Sequence, residues 1–162
     1  LIRAGGSRKA DGKEGVELYS FRALTIISKL IYMDTRYEIS LSAPFSKALN
    51  RLAGKDPDIV KRILAQLRYR LPLDPYPDEQ GHDDIFHSTV VKNLEIDGYY
   101  VSRLKSLLFD KYRIFYLVDE DYSLIYVLEI APRDSTTYDR HSPHYRTIKT
   151  LYLEYFQNRG QK

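Results

Sequence analysis

Cysteine and tryptophan are both missing from the 162 residues, and no apolar run approaches the length of a membrane span. Without cysteine there is no disulfide, no thiolate nucleophile, and no Cys-based zinc, haem-thiolate or iron–sulfur site. The best apolar stretch, Leu24 to Met33, is short and carries Lys29. No phosphate-loop glycine motif or serine-nucleophile elbow is present. Charge of one sign is scarce too: 25 basic residues face 22 acidic ones, a net +3 that is compatible with nucleic acid but does not select it. Fifteen tyrosines and a 43% hydrophobic share, beside 29% charged residues, describe a packed soluble protein and not a disordered polyelectrolyte. The length suits one domain with one continuous core.

The opening Leu1 to Gly15 is rich in Gly, Lys and Arg and lacks the apolar core and cleavage pattern of a secretion signal. It reads as a flexible leader, which makes the cytoplasm the expected compartment and gives no reason to expect a membrane. Val16 to Met33 carries Leu18, Phe21, Leu24, Ile27, Leu30 and Ile31 at helical spacing, an amphipathic helix that needs a surface to pack on. Tyr37 to Ser42 alternates with period two and stops at Ala43-Pro44, as a short strand does before turning into a helix. From Pro44, Phe45, Ala48, Leu49 and Leu52 fit one helix ended by Gly54. A second runs from Pro57 through Ile59, Val60, Ile63, Leu64 and Leu67 to Leu71, so the pair forms a helical hairpin.

That hairpin is basic: Lys47, Arg51, Lys55, Lys61, Arg62, Arg68 and Arg70 oppose only Asp56 and Asp58. From Pro72 to Asp97 the sign reverses, and Pro72, Pro75, Pro77 and Gly81 mark a loop. After Gly98 the period changes. Tyr99 to Lys105, Tyr112 to Asp119 and Ser123 to Ala131 are dense in aromatic and branched residues and read as strands, the last a central one because apolar groups occupy both of its faces. Pro132 ends it, and Tyr145, Ile148, Leu151, Tyr152 and Tyr155 give a C-terminal helix.

Three pieces carry a resemblance when taken in order: Leu94-Glu95-Ile96-Asp97-Gly98-Tyr99-Tyr100-Val101-Ser102-Arg103, then Tyr112-Arg113-Ile114-Phe115-Tyr116-Leu117-Val118, then Ile125-Tyr126-Val127-Leu128-Glu129-Ile130 with Arg133 just beyond. Preceded by a strand and a helical hairpin, this order from Tyr37 to Tyr138 resembles the RelE/ParE superfamily of small toxins from type II toxin–antitoxin systems, closer to its RelE-like branch. The resemblance implies an α+β fold, a curled and mainly antiparallel sheet with helices on one face. It makes 35–162 the toxin-like body and 1–34 a basic leader with an additional helix, which extends the core, covers the antitoxin surface or makes a homo-oligomer contact. The RelE-like branch implies a metal-independent endoribonuclease that needs no cofactor and cuts mRNA on the ribosome. The ParE-like branch implies a DNA gyrase inhibitor, or a non-catalytic binding protein of the same fold. Both imply a cognate antitoxin as partner.

Ribose-assisted RNA cleavage requires alignment of the 2′-hydroxyl on the adjacent phosphorus, its deprotonation, charge stabilisation and protonation of the departing 5′-oxygen. Arginine forks suit the phosphate oxygens, and a lysine can also transfer protons. By motif position the resemblance assigns Arg113 and Arg133 to phosphate or transition-state contacts, Tyr138 to stacking or proton transfer, and Arg103 or Lys105 to the basic position on the preceding strand. Strand alternation directs several of these to one face. His141 or His144 matches the C-terminal histidine that some members use as acid or base; as a metal pair the two lack a convincing third ligand. Arg51, Lys55, Arg62, Arg68 and Arg70 are candidates for docking on RNA phosphates or on an acidic antitoxin segment. Blander readings stand beside these. Arg113 can cap Glu129 across the sheet, Arg133 can be a solvated strand end, Tyr138 can cover the core, the hairpin can be a solvated face, and His82 and His87, placed to complete a site with Asp83 or Asp84, can be solvated loop histidines.

Overall fold

A computed structural model describes residues 37–77, 86–134, 137 and 139–159. The expected helix at Val16 to Met33 and the division near residue 34 lie outside the described residues.

Ser42 turns the chain from strand β1 (Glu38–Leu41) into helix α1 (Ala43–Ala53). Its Oγ accepts from the Phe45 N–H at 3.0 Å, which is N-capping, and donates to the Leu128 carbonyl at 2.6 Å, which ties the cap to the sheet. Helix α2 (Pro57–Tyr69) starts in the same way, with Asp56 accepting from the Ile59 N–H. Beyond it come β2 (Phe86–Val90), α3 (Lys92–Ile96), β3 (Ser102–Ser106), a 3-10 turn (Leu107–Phe109), β4 (Tyr112–Asp119), β5 (Leu124–Pro132) and α4 (Pro143–Asn158). Pro143 falls in the first turn of α4, where its missing N–H costs nothing.

The strands form one mixed sheet in the order β1-β5-β4-β3-β2. β1 runs parallel to β5, and every other pairing is antiparallel. The α+β class is therefore as read from the sequence, and β5 is central with apolar side chains on both faces. On one face Phe45, Leu49, Ile63 and Leu67 of the hairpin cover Leu104, Ile114, Tyr116, Ile125 and Val127. On the other, Leu94 and the α4 residues Tyr145, Ile148 and Leu151 cover Phe115, Leu117, Leu128 and Ala131.

Three expectations are corrected. Helices cover both faces of the sheet, because β4 and β5 present an apolar set on each side and each set must be buried. The span from Pro72 to Asp97 contains β2 and α3 and is not a continuous loop. Tyr99 to Val101 precede the strand, which begins at Ser102. Gly98 at φ +86° ends α3, and the Tyr99 N–H returns to the Leu94 carbonyl.

Helix α4 is fastened at both ends. Asp97 accepts from Lys149 at 2.7 Å and pairs with Arg140, while buried Asp119 accepts from the Tyr155 hydroxyl at 2.7 Å and pairs with Arg159 at 3.0 Å. Among the described helices none is long and apolar enough to cross a membrane. Phe45 has no exposed surface and anchors α1 on the sheet. Phe45→Ala should lower unfolding free energy by about 3–5 kcal/mol, read from the urea midpoint.

Candidate active site

Side chains directly opposite one another across a strand pair share a face, as do residues two apart along a strand. Arg103 lies opposite Phe115, so Lys105 and Arg113, each two residues away on its own strand, point to the Phe115 face. Arg113 lies opposite Ala131, which packs in the same layer as Phe115. Two residues further, the Arg133 N–H donates to the Lys111 carbonyl at 2.7 Å and prolongs the pairing past Pro132. His87 lies opposite Lys105 across the β2–β3 ladder.

These side chains meet. A cavity of about 260 Å³ is lined by His87, Lys105, Ser106, Leu107, Asp110, Arg113 and Arg133. Among the described residues, three cations and an imidazole face one carboxylate there, in a space just below the usual range for a drug-sized ligand. Arg113 is buried, and its Nη1 donates to the carbonyls of Asp110 at 2.8 Å and Tyr112 at 2.7 Å. Those bonds fix the guanidinium plane at the cavity wall. Arg133 is exposed, and Lys105 and His87 are half-buried.

Arg103 is on the same face but lines a neighbouring cavity of about 330 Å³ with Thr89, Asn93 and Tyr145, where its Nη2 donates to Thr89 Oγ1 at 3.1 Å. Of the pair Arg103 and Lys105, it is Lys105 that joins the arginines. His141 is exposed, its N–H bonded to Asp139, and it does not line the cavity. Tyr138 lies outside the described residues, as does His82. His87, read as a loop histidine, is a strand residue of the cavity wall. The signal for it was the short alternation Phe86-His87-Ser88-Thr89-Val90, hidden beside a stretch rich in Pro and Asp.

The hairpin cations are all exposed but do not make one patch. Arg51 and Lys55 sit at the α1 end, with Arg68 and Arg70 at the far end of the 13-residue α2, about 20 Å away by helix rise. Arg62 lies between them. Arg70 stacks over the Phe86 ring at 4.3 Å, and Arg68 lies over that of Tyr69 at 5.4 Å. The hairpin also covers the sheet face opposite the cavity. Glu129 lies opposite Phe115, not opposite Arg113. Burial pushes its carboxyl above the usual carboxylate range, against the lowering effects of the Ile130 N–H and of the Arg51 charge.

Among the described residues no three His, Asp or Glu side chains converge as a metal site requires. No family model matches the chain, and no curated protein or solved structure matches it either.

Two stability measurements separate these roles. Arg113→Ala removes a charged donor from two carbonyls and should cost about 1.5–3 kcal/mol, whereas Arg133→Ala should stay within about 0.5 kcal/mol of the parent, by thermal or urea unfolding. The raised Glu129 pKa means that the folded state binds the proton more tightly than the unfolded chain. Its penalty is absent below the unfolded value near 4.5 and grows as pH rises through the folded value. Glu129→Gln should thus raise the melting temperature at neutral pH, with the advantage fading as pH falls toward 4.5 and gone below it.

Proposed function

We propose that the chain is an endoribonuclease of the RelE-like kind, which cleaves mRNA on the ribosome and is held inactive by an antitoxin. The observation that carries this reading is the convergence of Lys105 of β3, Arg113 of β4 and Arg133 just beyond β5 on one cavity. The motif order of the sequence supports the same reading: a strand and helical hairpin, then arginine-bearing strands, then an arginine beyond the last.

The chemistry follows from the groups present. In the attack of a ribose 2′-hydroxyl on the adjacent phosphorus, negative charge accumulates on the nonbridging oxygens. Fixed cations placed there before reaction stabilise that charge without reorganising. Arg113, held rigid by two carbonyls, is the preorganised donor, with Arg133 and Lys105 completing a cationic ring. Among the described residues the lining holds one carboxylate, Asp110, against its three cations.

Binding to RNA phosphates alone would also suit such a cavity, so the decisive readout is new RNA ends. Added to ribosomes translating a defined mRNA, the parent chain should generate fragments with 2′,3′-cyclic phosphate and 5′-hydroxyl ends. Lys105→Ala and Arg133→Ala should each lower the rate about 100-fold or more, the usual cost of losing one oxyanion donor. Undiminished cleavage by both variants contradicts the assignment, and gyrase inhibition without RNA cleavage assigns the chain to the ParE-like kind instead.

A further inference from the structure

Arginine holds charge well but does not exchange protons in proteins. Arg113 and Arg133 can therefore stabilise a phosphorane, yet neither can remove the 2′-hydroxyl proton. Among the described residues, the proton-transferring side chains of the lining are His87, Lys105 and Asp110, with Ser106 a poor fourth. His87 and Lys105 occupy directly opposed positions of the β2–β3 ladder, which sets their Cβ atoms about 4.5–5.5 Å apart on one face. Both are half-buried, whereas Asp110 is exposed on the connection between β3 and β4.

We propose that His87 is the general base of this site and Lys105 its general acid, an inference that rests on the ribonuclease reading above. The His87 imidazole takes the 2′-hydroxyl proton as the O2′ electron pair forms the bond to phosphorus. The P–O5′ bond breaks with its electron pair going to O5′, which takes a proton from the Lys105 ammonium. The products are a 2′,3′-cyclic phosphate and a 5′-hydroxyl, and water returns imidazolium and amine to their starting forms. Among the described residues, the charged groups facing His87 are Lys105 from β3, Arg113 from β4, Arg133 beyond β5, and Asp110; no α4 residue lines the cavity.

The geometry also accounts for β2. A phosphate site needs only the arginine-bearing strands, but the added edge strand sets an imidazole opposite the lysine, and that pairing fixes its distance. Thr89, two residues along β2, holds Arg103 on the same face.

The test uses the full chain on mRNA-programmed ribosomes, with His87→Ala, His87→Gln and Lys105→Ala beside the parent. A mRNA with a 2′-deoxy nucleotide at the mapped cut site serves as the binding probe. Both His87 variants should bind that probe like the parent, cleave ribose-containing mRNA about 100- to 10,000-fold more slowly, and lose the decline in rate that the parent shows at acidic pH. A sulfur in place of the 5′-oxygen, a leaving group that needs no proton, should restore Lys105→Ala. Cleavage by His87→Ala within about threefold of the parent, or retention of the parent's acidic decline, overturns the base assignment while leaving the ribonuclease reading intact. A parent chain that generates no new RNA ends overturns both.

Discussion

The candidate site depends on one extra residue in β5. From Leu124 to Val127, β5 is in one register with β4, ending in the pair Tyr116 and Val127. From Glu129 to Pro132 it is in another, beginning with Phe115 and Glu129. Leu128 is the inserted residue of a β-bulge. Had the first register continued, Arg113 would lie opposite Ile130, and Arg133, three residues on, would point to the other face. The bulge is what sets Arg113 and Arg133 on the same face. It is also what allows Leu128 to join the Phe115 layer while Val127 and Ile130 stay in the other. Ser42 holds the place, its N–H donating to the Val127 carbonyl at 2.9 Å and its Oγ to that of Leu128 at 2.6 Å. The residue that caps α1 thus also steadies the irregularity on which the cavity depends.

A sheet covered on both faces makes this register costly to change, since a slip of one residue would expose one apolar set and bury the cations of the other. That constraint separates the roles of the arginines. Arg113 is part of the structure as well as of the cavity: buried, and bonded to the carbonyls of Asp110 and Tyr112, it closes the β3–β4 connection. Arg133 lies past the end of β5, exposed, with its backbone held by Lys111 and its side chain at the cavity mouth. One arginine supplies rigidity and the other reach, and only the second can be altered without disturbing the fold.

The legibility of the sequence follows the same physics. The hairpin is plain in its apolar spacing and its Pro and Gly punctuation, as β4 and β5 are in their dense branched and aromatic residues. The shared face of Lys105 and Arg113 follows from alternation once β3 and β4 are paired, but that of Arg133 requires the extra residue in β5. The bulge at Leu128 left no trace, because an inserted leucine in an apolar run changes the register without changing the pattern. β2 was obscured because Phe86 is its only large buried apolar residue, with the small Ser88 next on that side, beside a segment crowded with Pro and Asp. Losing β2 meant losing His87 from the site. The side of the sheet covered by α4 was unreadable for a different reason: amphipathicity shows that a helix has a buried face, not which layer receives it. The charge of the hairpin was legible, but its division between the two ends of α2 was not.

The central claim is that Lys105, Arg113 and Arg133 hold one RNA phosphate between them. A crystal structure of the full chain with a short single-stranded RNA, made uncleavable by 2′-deoxy substitution, tests it most directly. The account predicts a phosphate in the cavity, within hydrogen-bonding distance of the Arg113 and Arg133 guanidinium groups, with the 2′ position turned toward His87. RNA bound along the helical hairpin, with the cavity left without a phosphate, would contradict it.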